Sequence, residues 1–449
     1  MGTSRMSRTF GSRSSRRGFV AGSAALAATP LIGSRAFAQE ATPATPASGA
    51  SPVAAQGNGE PQLEIFSWWT TAGEAAGLDQ IFQAFAANNP NVEIVNAAVA
   101  GGAGSNAQAA LQTRLSANQP PDSWQSHTGA ELRARYVEPG YTETVTDLYA
   151  EQGWNDVFPQ GVLDQVTLDG EQYLVPVGVH RGNGMFYNRQ VLADNGIEVS
   201  DDWTLDDYFA AAETLQAAGV PSLGLGSKDT FAVLQLFENT LLGALGPDDY
   251  TAIWTGGIGW DDERVTGAIE SLARFFESVN ENHPTLTWDG AMDEVYAGRA
   301  AFSSMGDWAY GDAVTKELQD TVGWVNQPGT AGSFVSVIDG FTLPVGAPHP
   351  INARNWLITA GSAEAQLAFA PFKGALPARG DADVSTLNEY LQWASASFTA
   401  DAIVPSLAHG SAASPQFSVS AGDAIVSFVV DQDVATFQEA LQFAQEDEQ

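Results

Sequence analysis

The chain has 449 residues, enough for two or three domains and too many for one compact core. It contains no cysteine, which excludes disulfides, thiolate metal sites, a cysteine nucleophile and a lipidated N-terminal Cys. Its 53 acidic and 19 basic side chains give a formal charge of −34, which argues against nucleic acid or an anionic membrane as partner, because both need a basic footprint.

The first feature in chain order is Ser15-Arg16-Arg17-Gly18-Phe19-Val20, a twin-arginine pattern. A small-residue apolar run to Ile32 follows, then Ala36-Phe37-Ala38, an A-x-A cleavage site. Residues 1–38 therefore read as a removed export signal, too short in its apolar part to span a bilayer comfortably. Residues 39–60 are mostly Ala, Thr, Pro, Ser and Gly and read as a disordered linker, since they cannot bury enough surface to offset their ordering entropy.

Structure is expected from Leu63. Residues 63–67 read as a buried strand, with Trp68 and Trp69 at its end. A helix follows to Asn88, with Leu78, Ile81, Phe82 and Phe85 on one face. Val92–Val99 reads as a second strand, 105–117 as a helix stopped before Pro120-Pro121, and 122–127 as a third strand end. This β-α-β-α-β order predicts a parallel sheet with right-handed crossovers, bringing Trp68, Trp69, Gln125 and His127 to one edge. Ligands bind outside the carboxyl ends of such strands.

Further strands are expected at 172–179, 184–187, 221–226, 300–305 and 334–345. Helices are expected at 189–195, from Thr204, at 231–242, 265–279, 292–297 and 352–370, and through most of the tail from 384 to 445. Asp339 interrupts the apolar 334–345 run; it must be paired, exposed by a kink or bound to ligand. Lysine occurs only at 228, 316 and 373, and Lys373 reads as part of a Gly/Pro loop.

The five histidines show no metal-ligand spacing, and no P-loop or nucleophile elbow is present. No metal and no cofactor is expected. A glycosidase carboxylate pair is not excluded by counting, but none stands out in an acid/base context. Aromatics, neutral polar groups and a few charges remain, which is the chemistry of a sugar pocket: indole faces for pyranose C–H groups, and charged partners for hydroxyls.

From Glu64 to about residue 430 the chain resembles the extracytoplasmic sugar-binding proteins of ABC importers, most nearly the periplasmic glucose binders. The resemblance rests on Ser67-Trp68-Trp69 with Glu74, Pro121-Asp-Ser-Trp-Gln125 with His127, and Val175-Pro-Val-Gly-Val-His180-Arg181. It continues in Met305-Gly-Asp-Trp308 and Lys373-Gly-Ala-Leu-Pro-Ala-Arg379. It implies an α/β, two-lobe periplasmic-binding-protein fold of type II-like topology, with a multi-strand hinge and an interlobe ligand cleft. Lobe one would hold 61–177 plus 336–371, and lobe two 178–335 plus 372–449.

The same resemblance implies roles. Trp69 with Trp68 would stack on the sugar, Glu74 and Asp339 would accept from hydroxyls, and Lys373 and His409 would donate to oxygens. Gln125 falls where some glucose binders have Lys and others Gln. His127, His180, Trp288, Asp307 and Trp308 complete the set. The implied protein is a monomer, not an enzyme, that binds glucose or a related monosaccharide and delivers it to membrane permease subunits. The absence of a lipobox Cys implies export without a lipid anchor, to the periplasm or cell surface. The same fold binding a di- or oligosaccharide or a polyol is the alternative, and a secreted carbohydrate-active enzyme a third.

Overall fold

The computed structural model of the protein describes residues 60–101 and 104–446. The twin-arginine segment and the linker up to residue 59 lie outside the described residues. Glu60 is not tether. Its carboxylate accepts from the amides of Ile351 and Asn352, at 3.2 and 2.8 Å, at the start of the Pro350–Ala360 helix. A carboxylate is favoured there because the first helical N–H groups have no partner within the helix.

The first lobe is built on an eight-stranded mixed sheet. Its strands are β1 (Gln62–Phe66), β2 (Glu93–Asn96), β3 (Ser123–His127) and β4 (Thr142–Glu143), a small hairpin of β5 (Thr167–Leu168) and β6 (Glu171–Gln172) lying apart from it. The sheet continues with β7 (Leu174–Arg181). The next three strands, β8 (Gly184–Asn188), β9 (Phe302–Met305) and β10 (Val322–Asn326), form a separate antiparallel sheet in the second lobe. β11 (Ser333–Pro344), β12 (Leu376–Pro377) and β13 (Ala402–Pro405) return to the first sheet, whose order is β12-β7-β11-β3-β1-β2, with β4 and β13 also on β11.

β2, β1 and β3 are parallel, as the β-α-β-α-β pattern predicts. β11 runs antiparallel to both β3 and β7, so the sheet as a whole is mixed. β7 passes through Gly182 and Asn183 into β8, and β10 returns through 327–332 into β11. Asn183 pins this double crossing: its amide donates to Thr330 Oγ1 and the Ser333 carbonyl, at 2.9 and 2.8 Å, and accepts from Val335 N at 3.0 Å.

Helices Pro350–Ala360 and Ala363–Lys373 pack on the first sheet, and Ala72–Asn88 packs on both of them. In the second lobe, Thr230–Ile253, Glu263–Phe276, Pro415–Asp431 and Val434–Glu446 pack on one another. The expected 352–370 helix is two helices, parted at Gly361 and restarted by Ser362, whose hydroxyl accepts from Ala365 N. The expected 221–226 strand is only a bridge at Leu223 to Val279 and Phe302. There the backbone is crowded: a Cβ on Gly226 would lie 2.2 Å from the Thr287 carbonyl oxygen. The helix from Thr230 runs well past the expected Leu242 and bends at Gly246, just before Pro247.

Candidate functional site

A cleft of about 630 Å³ opens where strand ends of the first sheet meet helix ends and loops of the second lobe. That size is ordinary for a small-molecule site. Trp68, Glu74, His127, Trp288, Trp308, Asp339, Lys373 and His409 line it.

Three helix ends converge because glycines let their backbones touch. A Cβ on Gly311 would lie 2.3 Å from the Phe372 carbonyl oxygen, and one on Gly73 would lie 2.8 Å from it. Gly374, at φ +79°, caps the Ala363–Lys373 helix, and a Cβ there would lie 2.0 Å from the Asp307 carbonyl oxygen. Glu74, Trp308 and Lys373 are brought together by these contacts. Lys373 is the last residue of its helix and not part of the expected loop. It is 2% exposed; its Nζ lies 3.2 Å from Glu74 Oε1 and 5.3 Å from the centroid of the Trp308 ring. Glu74 is also held by the Thr71 hydroxyl at 2.9 Å.

Asp339 sits on β11 where a bulge shifts the register with β7 between Asp339 and Gly340. Of the three fates open to it, pairing is realised. Gln125 Nε2 donates to Oδ1 at 2.9 Å, His127 Nε2 lies 3.7 Å from Oδ1, and His180 Nε2 lies 3.1 Å from Oδ2. Burial opposes its charge, but the contact with His180 and the nearby His127 and Lys373 outweigh it and hold the carboxyl well below the usual range. His180 Nδ1 is 2.5 Å from Asp307 Oδ1, and Arg181 N donates to Asp307 Oδ2 at 2.9 Å. Burial and the nearby Lys373 lower the affinity of His180 for a proton, yet Asp307 and Asp339 raise it by more, so its pKa lies above the ordinary histidine value. His127 behaves likewise: burial opposes its charge, and Glu131 and Asp339 overcome it.

Four expected contact residues stand behind the cleft wall. Trp69 is 1% exposed and packs edge-on to Phe341 and against Phe369 in the core. It continues the inward row Leu63, Ile65, Ser67, because alternate strand residues face opposite sides. Gln125, His180 and Asp307 are buried. Gln125 accepts from Trp68 N at 3.2 Å and donates to Asp339, so it orients two lining residues. His180 and Asp307 support Asp339 from below.

Trp68 faces the cleft, 5.0 Å from the His127 ring, and covers Gly104. Trp308 lies 5.1 Å from the His409 ring, and Phe231 lies 5.7 Å from it. Trp288 opens a helix, its amide held by Asp229 Oδ2 at 2.9 Å. Aromatic faces thus stand around a patch of charged groups already paired with one another. Such a site suits a neutral ligand with apolar faces and many hydroxyls.

Sequence reasoning missed Glu131, Phe231, Ser406 and Glu238. Glu131 is buried, accepting from Gln108 Nε2 at 3.1 Å beside His127 at 3.4 Å. Gln235, Glu238 and Asn239 form a helical polar stripe that an amphipathic reading assigns to water; all three are buried instead. Gln235 and Asn239 both donate to the Gly182 carbonyl at the crossing between lobes.

No helix among the described residues is long and apolar enough to cross a membrane. Residues 68–367 match the family model described as bacterial extracellular solute-binding protein. An ABC transporter extracellular-binding protein of Pyrococcus horikoshii is 36% identical over 377 residues, 83% of this chain and 85% of its own. The xylose/arabinose-binding protein XacG of Haloferax volcanii is 29% identical over 79% of this chain and 78% of its own. Among solved structures, the bacterial solute receptor AcbH, described as exclusively preferring β-D-galactopyranose, superposes with a TM-score of 0.77. It is 18% identical and covers 86% of this chain and 98% of its own, a likeness of fold. The chain belongs to the bacterial extracellular solute-binding protein family.

Proposed function

We propose that this protein captures glucose or a closely related monosaccharide outside the cytoplasm and delivers it, unchanged, to the membrane permease of an ABC importer. The observation that carries this reading is the convergence of Trp68, Glu74, His127, Trp308, Asp339, Lys373 and His409, in contact with one another, in the cleft. Trp68 and Trp308 would cover the apolar faces of a pyranose. Asp339 and Glu74 would accept from its hydroxyls, and Lys373 would donate to them. Gln125, His180 and Asp307 would hold these groups in place, and Trp288 would border the ring farther out. Charged partners strengthen such hydrogen bonds, and each is oriented before the ligand arrives. The lobes, taken as 61–177 plus 336–371 and 178–335 plus 372–449 except that β12 and β13 join the first lobe's sheet, would close about the crossing segments, since a ligand touching both favours the shut form. The protein would act as a monomer, exported by its twin-arginine signal.

A second reading has its own support. The cleft, about 630 Å³ and lined also by Gln108, Arg135 and Trp288, has volume for more than one sugar ring, which would admit a disaccharide or oligosaccharide. The name of the XacG relative adds pentoses to the candidates.

Calorimetric titration with glucose, galactose, xylose, arabinose and maltose separates these. Tightest binding of glucose, with no product formed, supports the first reading. A clear preference for maltose moves the function to the second, and for a pentose narrows it to that class. Hydrolysis of any glycoside refutes the carrier reading.

A further inference from the structure

Glu238, Ser406 and His409 form one hydrogen-bonded line from the core of the second lobe to the cleft. Glu238 is completely buried on the Thr230–Ile253 helix, and no Lys, Arg or His pairs with it among the described residues. Its Oε2 accepts from Leu407 N at 2.6 Å and Ala408 N at 3.0 Å. Ser406 Oγ is 3.0 Å from both carboxylate oxygens. On its other side Ser406 Oγ lies 2.9 Å from His409 Nδ1 and accepts from His409 N at 3.2 Å.

Proton counting fixes the direction. At pH 8, above the value of about 7 to which burial lifts Glu238, its carboxylate is ionised and only accepts, so the single hydroxyl proton of Ser406 goes to Glu238. The Oγ lone pairs then face His409, and Nδ1 must carry a proton to bond there. His409 is neutral: burial disfavours its charge, and His127, His180 and Lys373 add to this against a smaller opposing effect of Asp339. A neutral imidazole has one N–H, so Nε2 is left as a bare lone pair. Nε2 has no hydrogen-bond partner among the described residues, and the ring lines the cleft beside Trp308.

We propose that Glu238, acting through Ser406, is a positioning residue that sets His409 as a hydrogen-bond acceptor toward the ligand. This reverses the donor role that the family resemblance implies for His409. It rests on the sugar-binding reading for the identity of the ligand, but the tautomer itself does not. The ligand must present a hydroxyl hydrogen at that point.

The tautomer can be read without any ligand, from imidazole nitrogen shifts of the full-length protein labelled with 15N-histidine, His409 being assigned by its loss in His409→Gln. At pH 8 the wild type should show Nδ1 protonated and Nε2 bare. In Glu238→Gln the amide N–H can donate to Ser406, the hydroxyl turns to Nδ1, and Nε2 should become protonated. Glucose affinity should fall at least tenfold in the same variant. Ser406→Ala, which needs no change in the buried helix, should abolish the preference for Nδ1–H. A wild-type Nε2 already protonated at pH 8, or a tautomer unmoved by both variants, overturns the proposal. A wild type that binds no sugar overturns the sugar reading instead, while the nitrogen shifts still decide the tautomer.

Discussion

His180 Nε2 lies 3.1 Å from Asp339 Oδ2, and both side chains are almost wholly shut off from water. The imidazole is held between Asp339 and Asp307, so each carboxylate is compensated by the same ring. Removing the ring strands two buried acids. His180→Ala should cost about 3–5 kcal/mol, as when one partner of a buried pair is lost. Asp339→Asn keeps the shape and a partner for Gln125, so it should destabilise far less yet weaken sugar binding about tenfold or more, about 1.4 kcal/mol. Urea denaturation beside calorimetric titration checks both. Equal loss of stability in the two variants would contradict the assignment of His180 as support and Asp339 as contact.

The tryptophan pair gives a sharper contrast. Trp68→Ala removes a cleft face and should lower sugar affinity at least tenfold while leaving the unfolding midpoint nearly unchanged. Trp69→Ala removes a ring packed between Phe341 and Phe369 and should cost about 3–5 kcal/mol in stability. If Trp69→Ala proved stable and specifically deficient in binding, Trp69 would belong in the cleft.

These two residues also show what was legible in the sequence. The Trp-Trp pair at a strand end pointed to the right edge of the right sheet, because strand, turn and helix signals there are local. The odd-numbered row from Leu63 would have sent Trp69 inward, had the alternation been carried past the strand. The sequence reads Lys373 as loop because Gly374 and Pro377 follow it closely, yet a glycine just there is also the helix-ending signal that leaves Lys373 as the last helical residue. Asp339 was legible as an anomaly but its partners were not, because His180 and Gln125 reach it only through strand pairing across long sequence separations. Glu238 was hidden for the opposite reason. A polar stripe on a helix ordinarily meets water, and only the returning 406–409 loop, distant in sequence, makes it a buried anchor.

Glu238 also predicts a pH dependence. Burial lifts its pKa from 4.5 to about 7, against the opposing bonds from Ala408, Ser406 and Leu407; Tyr250 lies beside it and His409 is joined to it through Ser406. The folded state therefore holds this proton more tightly than the unfolded chain. The contribution is complete below about pH 4.5 and is lost as pH rises to about 7, a change of roughly 3 kcal/mol. Glu238→Gln cannot ionise. Its stability relative to wild type should rise by that order between pH 4.5 and 8, measured by urea denaturation at both values. A difference independent of pH would mean that Glu238 titrates normally.

Gly374 links the fold most directly to the site. It needs φ +79°, and a Cβ there would fall 2.0 Å from the Asp307 carbonyl oxygen. Gly374→Ala must strain the turn and push the Ala363–Lys373 helix away from the Trp308–Thr315 helix, carrying Lys373 away from Glu74. Gly219 is the matched control: φ is +77°, and nothing lies within 4 Å of its Cβ position. Gly219→Ala should cost only about 1 kcal/mol, the conformational penalty alone, and leave sugar affinity unchanged. Gly374→Ala should cost several times as much and reduce sugar affinity at least tenfold. The comparison separates backbone conformation, common to both positions, from the close helix approach that only Gly374 permits. Equal stability losses with unchanged binding would mean that the contact is not what holds Lys373 at the cleft.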